Sequence, residues 1–471
     1  MKFSNDEYTL SIDDLGYKKQ VDIIRELIIE ADTPFSIGIS GRWGSGKTSV
    51  MKYLMASLGG NPLENNLDSY DEKSQEKINY LKVLDDYPKD NSANIHPIWF
   101  NPWENENHKE PMVGLLQEIY NHFSIYTNTK KEAEKLLSVA MQSGLDTLGS
   151  FLKLGKNQGS NIVNIGEKYE HDNFQYIDRN QRFKLIFQEA IKNLLTNLEN
   201  KEELINKDAR IVIFIDDLDR CEDETIAKLL KEIKQYLATK RCVFVFGYDR
   251  HHIEKSLSKT ETKTNKETRA YLEKLFQTTF YIKEPKSDKL DEFVTKIIES
   301  YGFVKDTELK VFTKFINSII DPNPRRLKSY LTTLYFHIKN SSFMDAEEIE
   351  IDDLKKLALI AYLKLFYESV YTVIENQPEI ITTLNRVLTK NDFFSVDDEK
   401  EYFFNLEFKN HLKTEDEPSN NFIDKILYTK EFEEKFLDEV YEMQGKHKSF
   451  SNFRNQFMLI FSDDTDIKNY L

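Results

Sequence analysis

The octapeptide Gly41-Arg42-Trp43-Gly44-Ser45-Gly46-Lys47-Thr48 constrains this chain more than any other stretch. It fits G-x-x-x-x-G-K-[ST] and lies between two elements of different periodicity. Before it, Phe35 to Ile39 is a short strand-like run; after it, Lys47, Val50, Met51 and Leu54 open a helical pattern. A strand, a glycine turn and a helix in that order put backbone N–H groups at a helix N-terminus, where they turn inward around phosphate oxygens. Gly41, Trp43, Gly44, Ser45, Gly46, Lys47, Thr48 and Ser49 therefore form the candidate nucleotide-binding set. In it, Lys47 is expected to reach the β- and γ-phosphates and Thr48 to hold Mg2+. The competing reading of the same residues is a chance glycine turn.

Such a loop needs a carboxylate at the end of a buried strand, and the chain supplies two. Ile211-Val212-Ile213-Phe214-Ile215 is a continuous β-branched and aromatic run closed by Asp216-Asp217, the pattern of a parallel strand covered on both faces. Asp216 is expected to hold Mg2+ through its water shell, and Asp217 to orient or activate an attacking water, with Asp219 as the second candidate base. Helix capping is the plainer reading of the pair. An aspartate in the usual glutamate position has a shorter reach, so slow turnover is expected.

Further strand runs at Ile95 to Phe100, Val243 to Phe246 and Thr279 to Ile282 alternate with helical patterns at Val21 to Glu30, Arg179 to Leu198 and Thr225 to Ala238. That alternation predicts an α/β fold with a parallel sheet. Residues 59–94 read as a polar insertion or a loosely packed helix pair, and 104–200 as a helical insert. The insert has two helical stretches from Pro111 to about Leu154 and a Gly/Asn/Ser-rich loop from Gly155 to Gly166. After Pro285 the pattern is helical almost to the end, interrupted most clearly at Asp321-Pro322-Asn323-Pro324.

Charge narrows the partners. Lys plus Arg total 64 against 80 Asp plus Glu, a net charge of −16, and a field of that sign repels nucleic acid unless a basic patch is held apart. Lys228, Lys231 and Lys234 share one helix side, and Lys446, Lys448 and Arg454 cluster, but both read as solvated faces. The longest uncharged stretch, Asn91 to Trp103, is too short and polar to cross a bilayer, so no membrane span is expected. Two cysteines, Cys221 and Cys242, fit a reducing cytoplasm. No zinc spacing and no Ser-His-Asp or thiol-His arrangement is readable.

Taken together, Gly41 to Thr48, Phe100-Asn101-Pro102-Trp103, Ile215 to Cys221, Phe246-Gly247-Tyr248-Asp249, Tyr271 to Gln277 and Asn323 to Lys328 resemble the motifs of the KAP family of P-loop NTPases. The resemblance implies an AAA-related core of the additional-strand class, binding ATP with Mg2+, over residues 1–285. It also implies a helical lid over 286–345; the helical region 346–471 carries none of the motifs. Many family members place membrane helices in the insert, whereas here it is amphipathic and polar.

By the same resemblance Asp13 to Tyr17, with Gly16 and Tyr17, looks like the segment lining the adenine pocket, or else an acidic helix-entry turn. Asp249 falls where a sensor of the γ-phosphate is expected, a strand-end cap being the alternative. Arg325, or failing that Arg326, looks like the lid guanidinium that touches ATP, or a surface arginine. Arg220, Arg269 and Lys274 are candidates for a charge donated across a subunit boundary. Trp43, Trp99 and Trp103 fall in or beside the motifs and read most simply as aromatic packing.

The expectation is a Mg2+-dependent, ATP-hydrolysing conformational or assembly switch. Family resemblance adds phage or plasmid exclusion with a protein effector, and a homo-oligomer promoted by ATP. The alternatives are a non-hydrolysing ATP-binding scaffold and a nucleic-acid translocase.

Overall fold

The computed structural model describes residues 10–63, 74–87, 94–105, 111–124, 179–199, 209–236, 239–260, 264–341, 343, 349–378, 380–389, 430–444, 448–461 and 470–471. The expected Gly155 to Gly166 loop, the second stretch of the 104–200 insert and Lys446 lie outside them. Contacts divide the chain into a unit of Tyr8–Lys283 and a second unit that begins at Glu284.

The first unit is built on five parallel strands, β1 (Phe35–Ser40), β2 (Ile95–Phe100), β3 (Arg210–Ile215), β4 (Cys242–Tyr248) and β5 (Thr278–Tyr281), in the order β2-β3-β4-β1-β5. An additional strand, β4, thus stands between β1 and β3. It is buried along its whole length and β3 is buried at five of its six positions, which is why both read as unbroken apolar runs. Edge strand β5 is only partly buried. The helices of this unit are α1 (Lys18–Glu30), α2 (Lys47–Ser57), α3 (Gln75–Asp86), α4 (Pro111–Ser124), α5 (Arg179–Glu199), α6 (Asp223–Tyr236), α7 (Arg250–Thr260) and α8 (Asn265–Leu275).

Alternation along the strands sorts side chains between the two faces. Ile211, Ile213, Ile215, Phe244 and Phe246 join a core with Leu115 and Ile119 of α4, Ile191 and Leu194 of α5, and Ile226 and Leu229 of α6. Helix α2 contacts β4, and α1 packs on α2. Within the 59–94 segment, α3 buries Tyr80 and Val83, and Tyr80 donates to the Gly60 carbonyl at 3.0 Å. Its polar composition hid those two anchors.

The second unit is all helical where described: α9 (Ser287–Tyr301), α10 (Leu309–Ile319), α11 (Pro324–Asn340), α12 (Ile351–Phe366), α13 (Glu368–Asn376), α14 (Ile380–Thr389), α15 (Lys430–Gln444) and α16 (Lys448–Ile460). One core runs through it from Leu290 to Tyr470, spanning both the 286–345 and 346–471 regions. The interruption at residues 321–324 is a cap. Asn323 Oδ1 accepts from the N–H groups of Arg325 and Arg326 at 3.1 and 3.2 Å, and Pro324 opens α11, where its missing N–H costs nothing.

Sheet order also positions the carboxylates. Ser40, Ile215 and Tyr248 end their strands at one edge of the sheet, β1 and β3 lying two inter-strand spacings apart, about 10 Å. Side chains from α2 and β3 must meet across β4, and Gly247 leaves the room. A Cβ there would lie 2.4 Å from Met51 Sδ and 2.5 Å from Asp216 Oδ1. Gly247→Ala is expected to cost about 1–3 kcal/mol of stability, read by chemical denaturation; an unchanged midpoint would mean that the strand makes room elsewhere.

On the far edge, His96 of β2 and His122 of α4 meet edge to face at 5.9 Å between ring centroids, with Phe123 against both. Burial holds each ring well below its usual value, to about 4, and at His96 the neighbouring His122 adds to the effect. Unfolded histidines take up protons near pH 6.5, so the stability these neutral rings contribute is present above that pH and lost as pH falls toward 4. Between those limits the protein should lose up to about 6 kcal/mol more than its His96→Gln/His122→Gln variant in denaturant titrations, about 3 kcal/mol for each ring.

Candidate functional site

The loop between β1 and α2 owes its shape to glycine. Gly44 (φ 79°) and Gly46 (φ 93°) occupy the left-handed region, where a side chain is strained, and Gly46 is the residue before α2. A Cβ on Gly41 would lie 2.5 Å from Ser45 Oγ, so that position is closed to any larger residue unless Ser45 moves. Tyr17 is buried and donates its hydroxyl to the Ser45 carbonyl at 3.2 Å, bracing the loop from outside. Gly16, just before it, is left-handed at φ 75°. Trp43 is 55% exposed, at variance with the simple packing reading of that residue.

Lys47 begins α2 and is buried. Its ammonium donates to the carbonyls of Gly41 at 3.2 Å and Arg42 at 3.4 Å and pairs with Asp219 Oδ2 at 3.2 Å. The Thr48 side chain lies by the Asp216 carboxyl, and Asp216 Oδ2 is buried without a hydrogen-bond partner. Burial pushes Asp216 up to about 6, the charge of Asp217 adds to this, and the nearby Thr48 hydroxyl acts in the opposite direction. Ser45 Oγ is a second buried oxygen without a partner, on the loop itself. A free carboxylate oxygen beside a threonine hydroxyl is the donor chemistry of a hard divalent cation such as Mg2+. A cation bound there would reverse the upward push on Asp216.

Asp217 follows in a left-handed conformation (φ 56°), and two side chains hold its carboxylate. Arg220 Nε lies 2.8 Å from Oδ1, and Asn101 Nδ2 donates to Oδ2 at 3.2 Å. Burial raises its pKa, Arg220 lowers it, and Asp219 raises it again. The register of β2 on β3, with Phe100 opposite Ile215, explains how Asn101 reaches this carboxylate. Asn101 also donates to Glu104 Oε1 at 3.0 Å and accepts from the Trp103 N–H at 3.1 Å, while the Arg220 guanidinium lies over the Trp103 ring. The Phe100-Asn101-Pro102-Trp103 motif is therefore a bracket for Asp217. The sequence identified the motif but not this role, although the asparagine directly after a strand pairing with β3 was its signal.

The structure brings Tyr17, Gly41 to Thr48, Asp216, Asp217 and Asp219 to one edge of the sheet. Other candidates have local partners. Asp249 Oδ1 accepts from the N–H groups of His251 at 2.9 Å and His252 at 3.4 Å, capping α7. Arg269 pairs with Glu254 at 3.3 Å, a carboxylate it shares with Arg250, and Lys274 is exposed. Arg325 and Arg326 open α11 in the second unit. There Arg326 pairs with Asp321 at 2.8 Å and lies over the Phe366 ring. Among the described residues no group of three or more His, Cys, Asp and Glu is arranged to hold a metal. No described helix is long and apolar enough to cross a membrane.

Removing the bracket should be measurable. Asn101→Ala leaves the Asp217 and Glu104 carboxylates without their shared donor and is expected to cost about 1 kcal/mol in chemical denaturation. Asn101→Asp, which turns that donor into a third carboxylate, should cost more; equal costs would mean that charge at this point is irrelevant.

The phage T7 exclusion protein of Escherichia coli (strain K12) is 23% identical over 265 residues, covering 55% of this chain and 31% of that protein. Vacuolar fusion protein MON1 of Kluyveromyces lactis is 27% identical over 140 residues, 30% of this chain and 24% of that one. The chain thus spans less than a third of the length of either relative. Among solved structures, the Aeropyrum pernix ORC2 protein (ADPNP-ADP complexes) is similar over 98% of each chain, with a TM-score of 0.39 and 10% identity. The model of the KAP family P-loop domain matches residues 17–339, from the tyrosine that braces the loop through the whole sheet and into α11, and the chain belongs to that family.

Proposed function

We propose that this chain is a cytoplasmic, Mg2+-dependent ATPase whose nucleotide state switches its conformation or its assembly, and that it works in phage or plasmid exclusion with a protein effector. The observation that carries the reading is the meeting of Thr48 and Asp216 across β4, with unpartnered oxygens on Asp216 and Ser45 beside the N-terminus of α2. In this proposal the backbone N–H groups of the loop, Ser45 and Lys47 bind the phosphates, with Gly16 and Tyr17 beside the base. Thr48 and Asp216 hold Mg2+, which supplies charge neutralisation between the phosphates. Asp217 orients the attacking water, and Arg325 or Arg326 serves as the lid guanidinium. Asp249, whose Oδ1 caps α7, is the γ-phosphate sensor. The role in exclusion is supported by the similarity to the phage T7 exclusion protein. A homo-oligomer promoted by ATP completes the reading.

One observation favours a second reading, in which the protein binds ATP without turnover. The carboxylate that would handle water is already engaged by both Arg220 and Asn101. A nucleic-acid translocase has no comparable support. The net charge is −16, and on the lysine side of α6 Lys234 lies over the Tyr271 ring.

Phosphate release from purified protein with ATP and Mg2+ separates the readings. Lys47→Ala and Asp217→Asn should each lower turnover by about a hundredfold or more, with mass rising on addition of ATP in the parent protein and in Asp217→Asn but not in Lys47→Ala. ATP binding that depends on Lys47 but yields no phosphate would support the scaffold. Loss of neither binding nor turnover in Lys47→Ala would refute both.

A further inference from the structure

The P-loop lysine is already committed to another partner. Its ammonium has three N–H donors, and three acceptors surround it: the Gly41 and Arg42 carbonyls and Asp219 Oδ2. Lys47 and Asp219 are 7% and 5% exposed, so water does little to screen the pair or to replace either member. A buried ammonium without a counter-charge is strongly disfavoured, and Asp219 supplies that charge from the short helical turn Leu218–Arg220 after β3. A phosphate oxygen arriving at Lys47 must displace one of these three acceptors. It also brings negative charge toward a carboxylate that lies in the same buried space.

We propose that Asp219 is a latch for the P-loop lysine: it holds the Lys47 ammonium in the nucleotide-free protein and competes with the β-phosphate for it, so that it sets nucleotide affinity rather than the chemical step. This rests on the reading of Lys47 as a phosphate ligand. It gives Asp219 a role different from that of a base: its carboxylate is a positioning group that acts through Lys47. The latch also has a function in folding, since it lets the loop close around a charged side chain before any ligand arrives. The cost falls on binding, because each nucleotide must exchange one charge-assisted contact for another.

The test is equilibrium binding of ADP and of AMP to the full chain, each with the variants Asp219→Asn and Asp219→Ser, beside Asp219→Glu and Lys47→Ala. ADP carries the β-phosphate and AMP does not. Both charge-removing variants should bind ADP about tenfold more tightly than the parent, with AMP unchanged, and Asp219→Glu should stay within about twofold of the parent. Where turnover is measured, the gain should appear in KM and leave kcat nearly unchanged.

Unchanged or weaker ADP binding in a folded charge-removing variant would overturn the latch. So would an equal gain for AMP, which would assign the effect to general charge, or a tenfold gain in Asp219→Glu, which would assign it to packing. Failure of both charge-removing variants to fold would make Asp219 a scaffold residue and end the proposal. Lys47→Ala separates the two levels: if it leaves ADP binding intact, Lys47 is not a phosphate ligand and the parent reading fails. If it weakens ADP binding while the Asp219 variants do not respond, the latch alone is wrong.

Discussion

Burying like charges together is the constraint on which the carboxyl edge of this sheet depends. Asp216, Asp217 and Asp219 stand within four residues of one another, and the bulk solvent that would screen them is largely excluded, Asp216 being 1% exposed. The chain disperses the cost among different partners. Asp219 takes the Lys47 ammonium, Asp217 takes Arg220 and Asn101, and Asp216 has the Thr48 hydroxyl. The last arrangement is the weakest, since its neighbour is a neutral hydroxyl and one of its oxygens, Oδ2, is left bare. Burial, with the Asp217 charge beside it, pushes Asp216 up to about 6, and the unmet demand for positive charge is concentrated at its bare Oδ2.

The surrounding fold follows from holding that edge. The two faces of β3 and β4 must be dry, which demands continuous apolar strands and helices on both sides. Inserting β4 separates the loop from the acidic strand, and the separation is bridged only because residue 247 has no side chain. The loop in turn is held by Tyr17, whose backbone carbonyl accepts from the N–H groups of Gln20 and Val21 at the start of α1. A change in α1 is thus coupled to the loop through one tyrosine and its hydroxyl.

Much of this was legible because it is local. A glycine loop between a strand and a helix, a β-branched run ending in two aspartates, and an Asn-Pro helix entry each announce themselves within ten residues or so, and the resemblance to the KAP family rests on such segments. The pairings were not legible. Lys47 and Asp219 are 172 residues apart in sequence, and Asn101 and Asp217 are 116 apart; nothing in the local pattern tells an aspartate which cation it will meet. Asp219 therefore read as a spare base, and Asn101 as part of a motif without a task. In the second unit the even spread of apolar residues over many helices concealed that one core joins residues from Leu290 to Tyr470.

Asp217 is restrained in both its backbone and its carboxylate. Asp217 adopts a left-handed backbone conformation that an aspartate tolerates better than most residues, and its carboxylate is held from two sides. To act on water, it would have to loosen its hold on Arg220 or Asn101. Arg220 in turn leans on Trp103, which follows the same strand end as Asn101. Both restraints on Asp217 therefore converge on residues 101–103, one loop at the end of one strand. A partner that moved this loop would change both restraints at once. In the function proposed above, displacement of that loop would release Asp217, which is the behaviour required of a switch and not of a motor.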